Sequence, residues 1–415
     1  MKKLSYALAC ITAASALGAA APAWSAEETV KIAFIDPLSG LMGPVGNDLL
    51  RNWQYSAELA NAEGWAKDVK FEIVPFDNKL SPQESVTLLQ TAIDQGIHYV
   101  VQGMGSSVGI PLQQAVQRNN ERNPDHPVLY INQAAVDPVQ TNDNCTFSHV
   151  RLDGHVDMKV TGIVKYITEN SPDTKKVYLI NQDYSFGHSV AKAAKEMLKK
   201  ANPDIEIVGE DLHPLARVTD FSQYAAKIRS SGADTVITGN WGSDLGLLVK
   251  AARDAGVTAK FYTFYGDNTG APTLFGDAGT DRVYRIAAFD WDTPETQKLM
   301  EGYKQKYGGS DYWNGVGWGG IKLLAEAINK AGETDPLKVA AAMENLSVEG
   351  PHGQMTVRGD DHQVQQNFVM ASWQKVDGDK VKFEQEKTGH GWRAERKFTP
   401  DELMLPTTCK MKRPS

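Results

Sequence analysis

The strongest constraint on the fold is a regular alternation of two kinds of segment in the first part of the chain. Short runs rich in β-branched and aromatic residues are typical of buried parallel strands. These runs cover residues 30–35, 71–75, 99–102 and 128–132. The segments between them, with apolar residues at helical spacing, are 47–63, 82–95 and 111–122. Strands alternating with helices predict a parallel sheet covered by helices, which is a doubly wound α/β lobe.

The same alternation then begins again, which predicts a second lobe of the same class. Its strands are expected at 177–181, 205–208, 235–238 and 261–264. Its helices are expected at 187–200, 221–231 and 243–255. We therefore expect an α/β protein with two doubly wound lobes and a ligand cleft between them.

The order of elements becomes less regular after residue 281. A strand is expected at 283–289, helices at 294–307, 316–331 and 336–346, and antiparallel hairpins at 351–384. Three crossings between the lobes are expected, near residues 150, 275 and 355. The predicted division is lobe 1 at 27–150 plus 282–354, lobe 2 at 151–281 plus 355–386, and a C-terminal extension along the surface at 387–415.

The first 26 residues are predicted to be a cleavable signal peptide. Lys2 and Lys3 precede a run of apolar or small residues at 4–20, and small residues at 21–25 suit a signal peptidase. The apolar run is shorter than the ~20 residues of a membrane-spanning helix. We therefore expect cleavage within 23–26 and export of the mature chain.

Charge and cysteine content narrow the possible partners. The net charge of −8 becomes −10 without the two lysines of the signal segment, so nucleic acid is not expected as a partner.

Export leaves Cys145 and Cys409, which favour one disulfide over two buried thiols. No C-x-x-C or H-E-x-x-H spacing occurs, so neither a metal site nor a cofactor is expected. We expect a monomer.

One short motif has two interpretations. The stretch from Gly105 to Gly109, GSSVG, matches the G-x-S-x-G nucleophile elbow of serine hydrolases, with Ser107 as the nucleophile. It also places Ser106 and Ser107 at the start of a predicted helix, where hydroxyls and free N–H groups hold an anion. No H-G-G-G run precedes it and no histidine pairs with an acid in sequence. The anion interpretation is therefore favoured, and a hydrolase is kept as the alternative from another class.

Residues that follow the predicted strands indicate a small-molecule cleft, because ligands of open α/β sheets bind beyond the carboxyl ends of strands. The first lobe offers hydroxyls and backbone amides there, and the second offers aromatic rings and one acid. A polar wall facing an aromatic wall suits a carboxylate with an apolar body. The segments concerned are 106–107, 134–136, 184–187, 240–242, 265–267 and 312–313.

The chain resembles the periplasmic leucine/isoleucine/valine-binding proteins, which are the solute receptors of ABC importers. The resemblance covers nearly all of the mature chain. It shows in VKIAFIDPLSG, SPQESVTLLQTAIDQGIHYVVQG, DYSFGHSVAKAAKEML, TDFSQYAAKIRSSGADTVITG and LGLLVKAARDAG. It implies a non-enzymatic receptor of the type I periplasmic-binding fold, which closes its lobes on a branched-chain or other apolar amino acid and docks on a membrane permease.

The resemblance also implies roles for individual residues. The carboxylate-binding serine of the family falls on Ser106, with Ser107 secondary, and the residue whose carbonyl meets the ligand ammonium falls on Ala134. The aromatic residues of the family's site fall on Phe186, Trp241 and Trp313.

Two of the family's ligand-binding positions differ in this chain. A hydroxyl residue of the family is Val136 here, and the acid that pairs with the ligand ammonium falls nearest Tyr265, with Asp267 two residues further on. These departures keep an aromatic carboxylate open as an alternative ligand. A sensory domain without a transporter is a further alternative.

Overall fold

The computed structural model describes residues 28–414, so the predicted signal peptide lies outside the described residues. The first sheet is entirely parallel, in the order β2-β1-β3-β4-β5. Its strands are β1 (Glu28–Asp36), β2 (Val69–Asp77), β3 (Tyr99–Gln102), β4 (Leu129–Asn132) and β5 (His149–Arg151). The helices that connect the first four strands are α1 (Gly43–Glu63), α2 (Pro82–Asp94) and α3 (Ser106–Arg122).

The second sheet begins with five parallel strands in the order β7-β6-β8-β9-β10. They are β6 (Lys176–Gln182), β7 (Glu206–His213), β8 (Thr235–Trp241), β9 (Lys260–Tyr265) and β10 (Val283–Ala287). The helices of this region are α4 (Val156–Asn170), α5 (Ser185–Ala201), α6 (Ser222–Ser231), α7 (Gly242–Asp254) and α8 (Ala271–Phe275). The predicted α/β fold with two lobes is confirmed. Within residues 28–414, no helix combines the length and the apolar character that crossing a membrane requires.

The next part of the chain contains three helices and a small antiparallel sheet. The helices are α9 (Pro294–Lys306), α10 (Val316–Ala331) and α11 (Pro336–Met343). The sheet consists of β11 (Ser347–Gly350), β12 (Gly353–Val357) and β13 (Val364–Gln365). Glycines let α10 approach α1 closely, since a Cβ on Gly320 would lie 2.3 Å from the Trp53 ring. The glycine-rich start of α10 therefore serves helix packing.

The last elements return to the second sheet. They are β14 (Phe368–Lys375), β15 (His390–Phe398) and α12 (Pro400–Leu403). Strand β14 pairs antiparallel with β10, and β15 pairs antiparallel with β14 at the edge of the sheet. The second sheet thus has seven strands, and Trp373 and Trp392 of its last two strands are fully buried.

The structure corrects the predicted division into lobes at two places. Residues 283–287 were expected in lobe 1 but form β10 beside β9. Residues 355–365 were expected in lobe 2, whereas β12 and β13 lie in the small sheet, which a bridge between Arg151 and Gln363 joins to the first lobe. A buried strand has the same composition in either sheet, so sequence pattern does not assign it to one of them.

The C-terminal extension also differs from the expectation. Residues 387–415 were expected to lie along the surface, but β15 is a full strand of the second sheet. Its charged residues gave it the composition of a surface segment. An edge strand accounts for this composition, since one of its sides faces solvent and edge strands favour charged side chains.

The predicted disulfide joins Cys145 to Cys409, with an S–S distance of 2.02 Å. Hydrogen bonds beside it hold the end of the chain against the first lobe. Thr407 donates from its hydroxyl to the Thr141 carbonyl oxygen at 3.0 Å, and the Thr408 N–H donates to the Asn142 side chain at 3.1 Å. The C-terminal segment thus connects the edge of the second sheet to the first lobe.

Replacing both cysteines by serine should lower the free energy of unfolding in urea. The bridge closes a loop of 264 residues in the unfolded chain, for which the chain-entropy model gives on the order of 5 kcal/mol as an upper figure. Wild-type protein under reducing conditions should match the variant. Thiol titration of unfolded, unreduced protein that lacks residues 1–26 should find no free thiol, and two free thiols per chain would contradict the bridge.

Candidate functional site

The two sheets direct the carboxyl ends of their parallel strands toward a common cleft. Ser106 follows β3, Ala134 follows β4, and Trp241 and Tyr265 end β8 and β9. This edge is where open α/β sheets bind ligands. The lobes are in contact across the cleft, because the Tyr265 hydroxyl lies 3.4 Å from the Ala134 carbonyl oxygen and the Ser189 hydroxyl donates to Asp137 Oδ2 at 3.3 Å. The structure therefore shows a closed arrangement of the lobes.

Ser106 begins α3 at the floor of the cleft. The chain turns into the helix at Gly105, whose φ of 85° is unfavourable for a residue with a side chain. Ser106 is 1% exposed, and its Oγ accepts a hydrogen bond from the Asp137 N–H at 3.1 Å. Its hydroxyl hydrogen can therefore donate to a ligand. The free N–H groups and the positive dipole end of a helix start add to this donor, so the site suits a carboxylate.

A buried carboxylate fixes the loop that leads to Ser106. Asp36, the last residue of β1, accepts hydrogen bonds from the backbone N–H groups of Gly103 at 3.0 Å and Met104 at 2.9 Å. It also accepts one from Gln133 Nε2 at 2.6 Å. Burial raises the pKa of Asp36 to about 7, although these hydrogen bonds lower it. Asp36 thus ties the loops after β1, β3 and β4 together behind the cleft.

The loop after β4 presents Ala134 and Val136 to the cleft. Asn132 holds this loop, since its side chain bonds both the N–H and the carbonyl oxygen of Ala135, at 2.7 and 2.8 Å. The Ala134 carbonyl oxygen faces the second lobe, where the Tyr265 hydroxyl lies 3.4 Å away. The Val136 side chain is apolar, so at this position the wall offers contact surface and no hydrogen bond.

Aromatic rings of the second lobe form the opposite wall. Phe186 packs edge-to-face on Phe264 with ring centroids 5.4 Å apart. Trp241 donates from Nε1 to the Tyr184 hydroxyl at 3.0 Å. Between these walls lies about 430 Å³ of free space, partly open to solvent, which is here called the serine cavity. It is lined by Ser106, Ala134, Val136, Tyr184, Phe186, Trp241, Tyr265 and neighbouring residues.

A second cavity of about 620 Å³, here called the lysine cavity, adjoins the first. Ala134, Tyr265 and Asn314 line both cavities. The lysine cavity has apolar walls and, besides Tyr265, four ionisable side chains. Those side chains belong to Asp153, Lys159, Asp267 and His352. Trp313 also lines it, so the structure brings eight of the nine predicted site residues to one of these two connected cavities.

Asp267 lines the lysine cavity, but its carboxylate already has a cationic partner. It is paired with Arg285, which is fully buried on β10 and stacked among Trp291, Trp313 and Trp392. Burial raises the pKa of Asp267 and the nearby guanidinium opposes this, while burial lowers the pKa of Arg285. This pairing counts against the predicted contact of Asp267 with a ligand ammonium, which stays a prediction.

The sequence analysis missed a second buried ion pair. Lys159 Nζ lies 2.6 Å from Asp153 Oδ2, and the lysine side chain is 1% exposed. In the sequence, Lys159 could have been noticed as a lysine among apolar residues on one face of α4. Arg285 could likewise have been noticed as an arginine within the apolar strand β10. Both carboxylates of the lysine cavity are therefore paired with buried cations.

Ser107 stands apart from the other predicted residues. It is half-buried and lines neither the serine cavity nor the lysine cavity. In the part of the chain that the structure describes, no histidine hydrogen bond reaches it. The hydrolase hypothesis requires such a base, so the geometry favours the anion interpretation of the motif.

Comparison with known families and sequences also favours a ligand-binding protein over a hydrolase. Residues 29–380 match the model of the family described as periplasmic binding protein. The chain is 31% identical over 414 residues to the Leu/Ile/Val-binding protein homolog 4 of Brucella abortus (strain 2308), covering 97% of each chain. It is 26% identical to the leucine-, isoleucine-, valine-, threonine-, and alanine-binding protein of Pseudomonas aeruginosa, covering 90% of this chain and 98% of that one.

Solved structures give the same fold. The leucine-, isoleucine-, valine-, threonine-, and alanine-binding protein from Brucella ovis, in a closed conformation, matches with a TM-score of 0.84 and 30% identity, covering 93% of this chain and 100% of that one. A solute binding protein of an ABC transporter from Rhodopseudomonas palustris BisB5, in complex with 3,4-dihydroxy benzoic acid, matches with a TM-score of 0.75. Its identity is 20%, covering 90% of this chain and 98% of that one, so this likeness concerns the fold alone.

Asp267→Asn should lower the free energy of unfolding by about 3–5 kcal/mol, because it leaves the Arg285 charge buried without a partner. Urea denaturation measures the difference. The matched control is Asp254→Asn, which removes the acid of an exposed ion pair and should change the value by less than about 1 kcal/mol. Equal stability of wild type and Asp267→Asn would show that the buried charge of Arg285 does not depend on Asp267 for its compensation.

Proposed function

Because the chain belongs to the periplasmic binding protein family, we propose that it captures a branched-chain or other apolar amino acid by closure of its two lobes. The observation that carries this proposal is the position of the buried Ser106 hydroxyl at the start of α3, facing an aromatic wall across the serine cavity. We further propose that it acts in the periplasm and delivers its ligand to the membrane permease of an ABC importer.

The geometry supports a definite pose for the ligand. Its carboxylate accepts hydrogen bonds from Ser106 and from the first N–H groups of α3. Its apolar body packs against Phe186 and Trp241, whose rings are almost fully buried. Its ammonium lies beside the Ala134 carbonyl oxygen. Closing the lobes removes water from these contacts, which strengthens each of them.

Lobe closure uses contacts that join the two lobes directly. The Tyr265 hydroxyl lies 3.4 Å from the Ala134 carbonyl oxygen, and the Ser189 hydroxyl donates to Asp137 Oδ2 at 3.3 Å. Tyr265 and Ala134 line the serine cavity, and the Asp137 N–H bonds Ser106, which also lines it. Since both cavities lie between the lobes, separation of the lobes widens the path for a ligand, and hinge motion of this kind is typical of binding proteins.

An aromatic carboxylate is the second candidate ligand, and one observation favours it. The carboxylates of Asp153 and Asp267 are each paired with a buried cation, so the cavities offer no unpaired negative charge for an ammonium group. Val136 likewise offers no hydroxyl. An aromatic acid needs neither and would stack against the same rings.

Isothermal calorimetry on purified protein, with L-leucine, L-valine and 4-hydroxybenzoate, tests the proposal. Saturable one-to-one binding of the amino acids is the expected result. Tighter binding of 4-hydroxybenzoate than of leucine would replace the first candidate by the second. Absence of binding by all three, together with turnover of a chromogenic ester, would favour the hydrolase alternative.

Ser106→Ala should weaken ligand binding by roughly ten- to a hundredfold, because a hydrogen bond to a charged group contributes about 1.5–3 kcal/mol. Ser107→Ala is the matched control and should have the smaller effect, since Ser107 lies outside both cavities. Thermal unfolding without ligand separates a loss of stability from a loss of contact. A larger loss of affinity in Ser107→Ala would contradict the assignment of Ser106.

A further inference from the structure

Tyr265 connects the ligand position to a buried acid. Its hydroxyl lies 3.4 Å from the Ala134 carbonyl oxygen and donates to Asp153 Oδ2 at 2.9 Å. Burial raises the pKa of Tyr265 well above its ordinary value, so the hydroxyl keeps its proton. A donor group placed beside Ala134 can therefore bond the Tyr265 oxygen, and through it approach the negative charge of Asp153.

Lys159 donates to the same oxygen of Asp153 as Tyr265 does. Its Nζ lies 2.6 Å from Asp153 Oδ2 and 4.2 Å from the centre of the Tyr265 ring. The other oxygen, Asp153 Oδ1, accepts the Gly154 N–H at 2.8 Å. Lys159 thus cancels the charge that Tyr265 would otherwise relay to the cleft.

The ion pair next to Asp153 and Lys159 does not supply a net negative charge either. The neighbouring ionised pair, Asp267 with Arg285, is also neutral as a whole. A ligand ammonium buried beside Ala134 would therefore find a carbonyl oxygen and a phenol oxygen but no net negative charge. Burying an ammonium without a compensating charge carries a large cost in free energy.

We propose that Lys159 is a specificity-determining residue, which, by neutralising Asp153, weakens the binding of ligands with an α-ammonium relative to the same carbon skeleton without it. The inference rests on the proposed function, since it assumes that the ligand carboxylate lies at Ser106. It names the group that discriminates between the two candidate ligand classes.

The test compares L-leucine with 4-methylpentanoate, which is leucine without its amino group. Calorimetry gives the ratio of the two dissociation constants for each variant. Lys159→Met should shift this ratio in favour of leucine by about tenfold or more, the effect of one hydrogen bond to a charged group. Asp153→Asn, which leaves Lys159 unpaired, should shift it by a similar factor in favour of 4-methylpentanoate.

Two further variants separate charge from packing. The double variant Asp153→Asn with Lys159→Met should lose the gain for leucine, because no free carboxylate remains. Lys165→Met is the matched control on the same helix, where the lysine is exposed and 3.7 Å from Glu402, and it should leave the ratio unchanged.

The outcomes distinguish the inference from the function on which it rests. If wild type binds leucine or 4-methylpentanoate but neither Lys159→Met nor Asp153→Asn moves the ratio, the inference is overturned and the function stands. A shift against leucine in Lys159→Met also overturns it. If wild type binds neither compound, the proposed function fails and the inference with it. Should Lys159→Met fail to fold, the shift in Asp153→Asn decides.

Discussion

The contact between the Tyr265 hydroxyl and Asp153 is the interaction on which the shape of the cleft depends. It joins the end of β9 in the second sheet to the segment that follows β5 of the first. It also lies between the two cavities, since Tyr265 lines both the serine cavity and the lysine cavity. A hydrogen bond to an ionised acceptor is stronger than one between neutral groups, which suits a contact that fixes the end of β9 to the segment leading from β5 to α4.

The charged groups around that contact form a balanced set. Two carboxylates and two cations are buried beside the lysine cavity as the pairs Asp153 with Lys159 and Asp267 with Arg285. Removing charges from water is costly, and only close pairing offsets this cost. The second pair also lies among three tryptophan rings, whose faces attract a guanidinium. The result is a wall that is polar but carries no net charge.

The end of the chain supports the cleft from outside. The family match ends at residue 380, yet the residues that follow hold parts of the site in place. Gln385 donates from its side chain to the Asp267 carbonyl oxygen at 2.7 Å, and the Glu386 carboxylate accepts the Thr273 N–H at 2.8 Å at the start of α8. With β15 and the disulfide, this segment fixes the loop after β9 and ties the second sheet to the first lobe.

The sequence by itself determined the class of fold and much of the cleft. Alternating strands and helices require a parallel sheet, and parallel strands place their carboxyl ends at one edge, so Ser106, Ala134, Trp241 and Tyr265 were predictable as neighbours. Tertiary structure alone decided that residues 283–287 extend the second sheet and that β15 forms its edge. It alone also decided the pairing of Asp267 with Arg285. Periodicity along a chain reports which side of an element is buried, whereas the choice of sheet edge and of ionic partner depends on contacts between segments that the fold brings together.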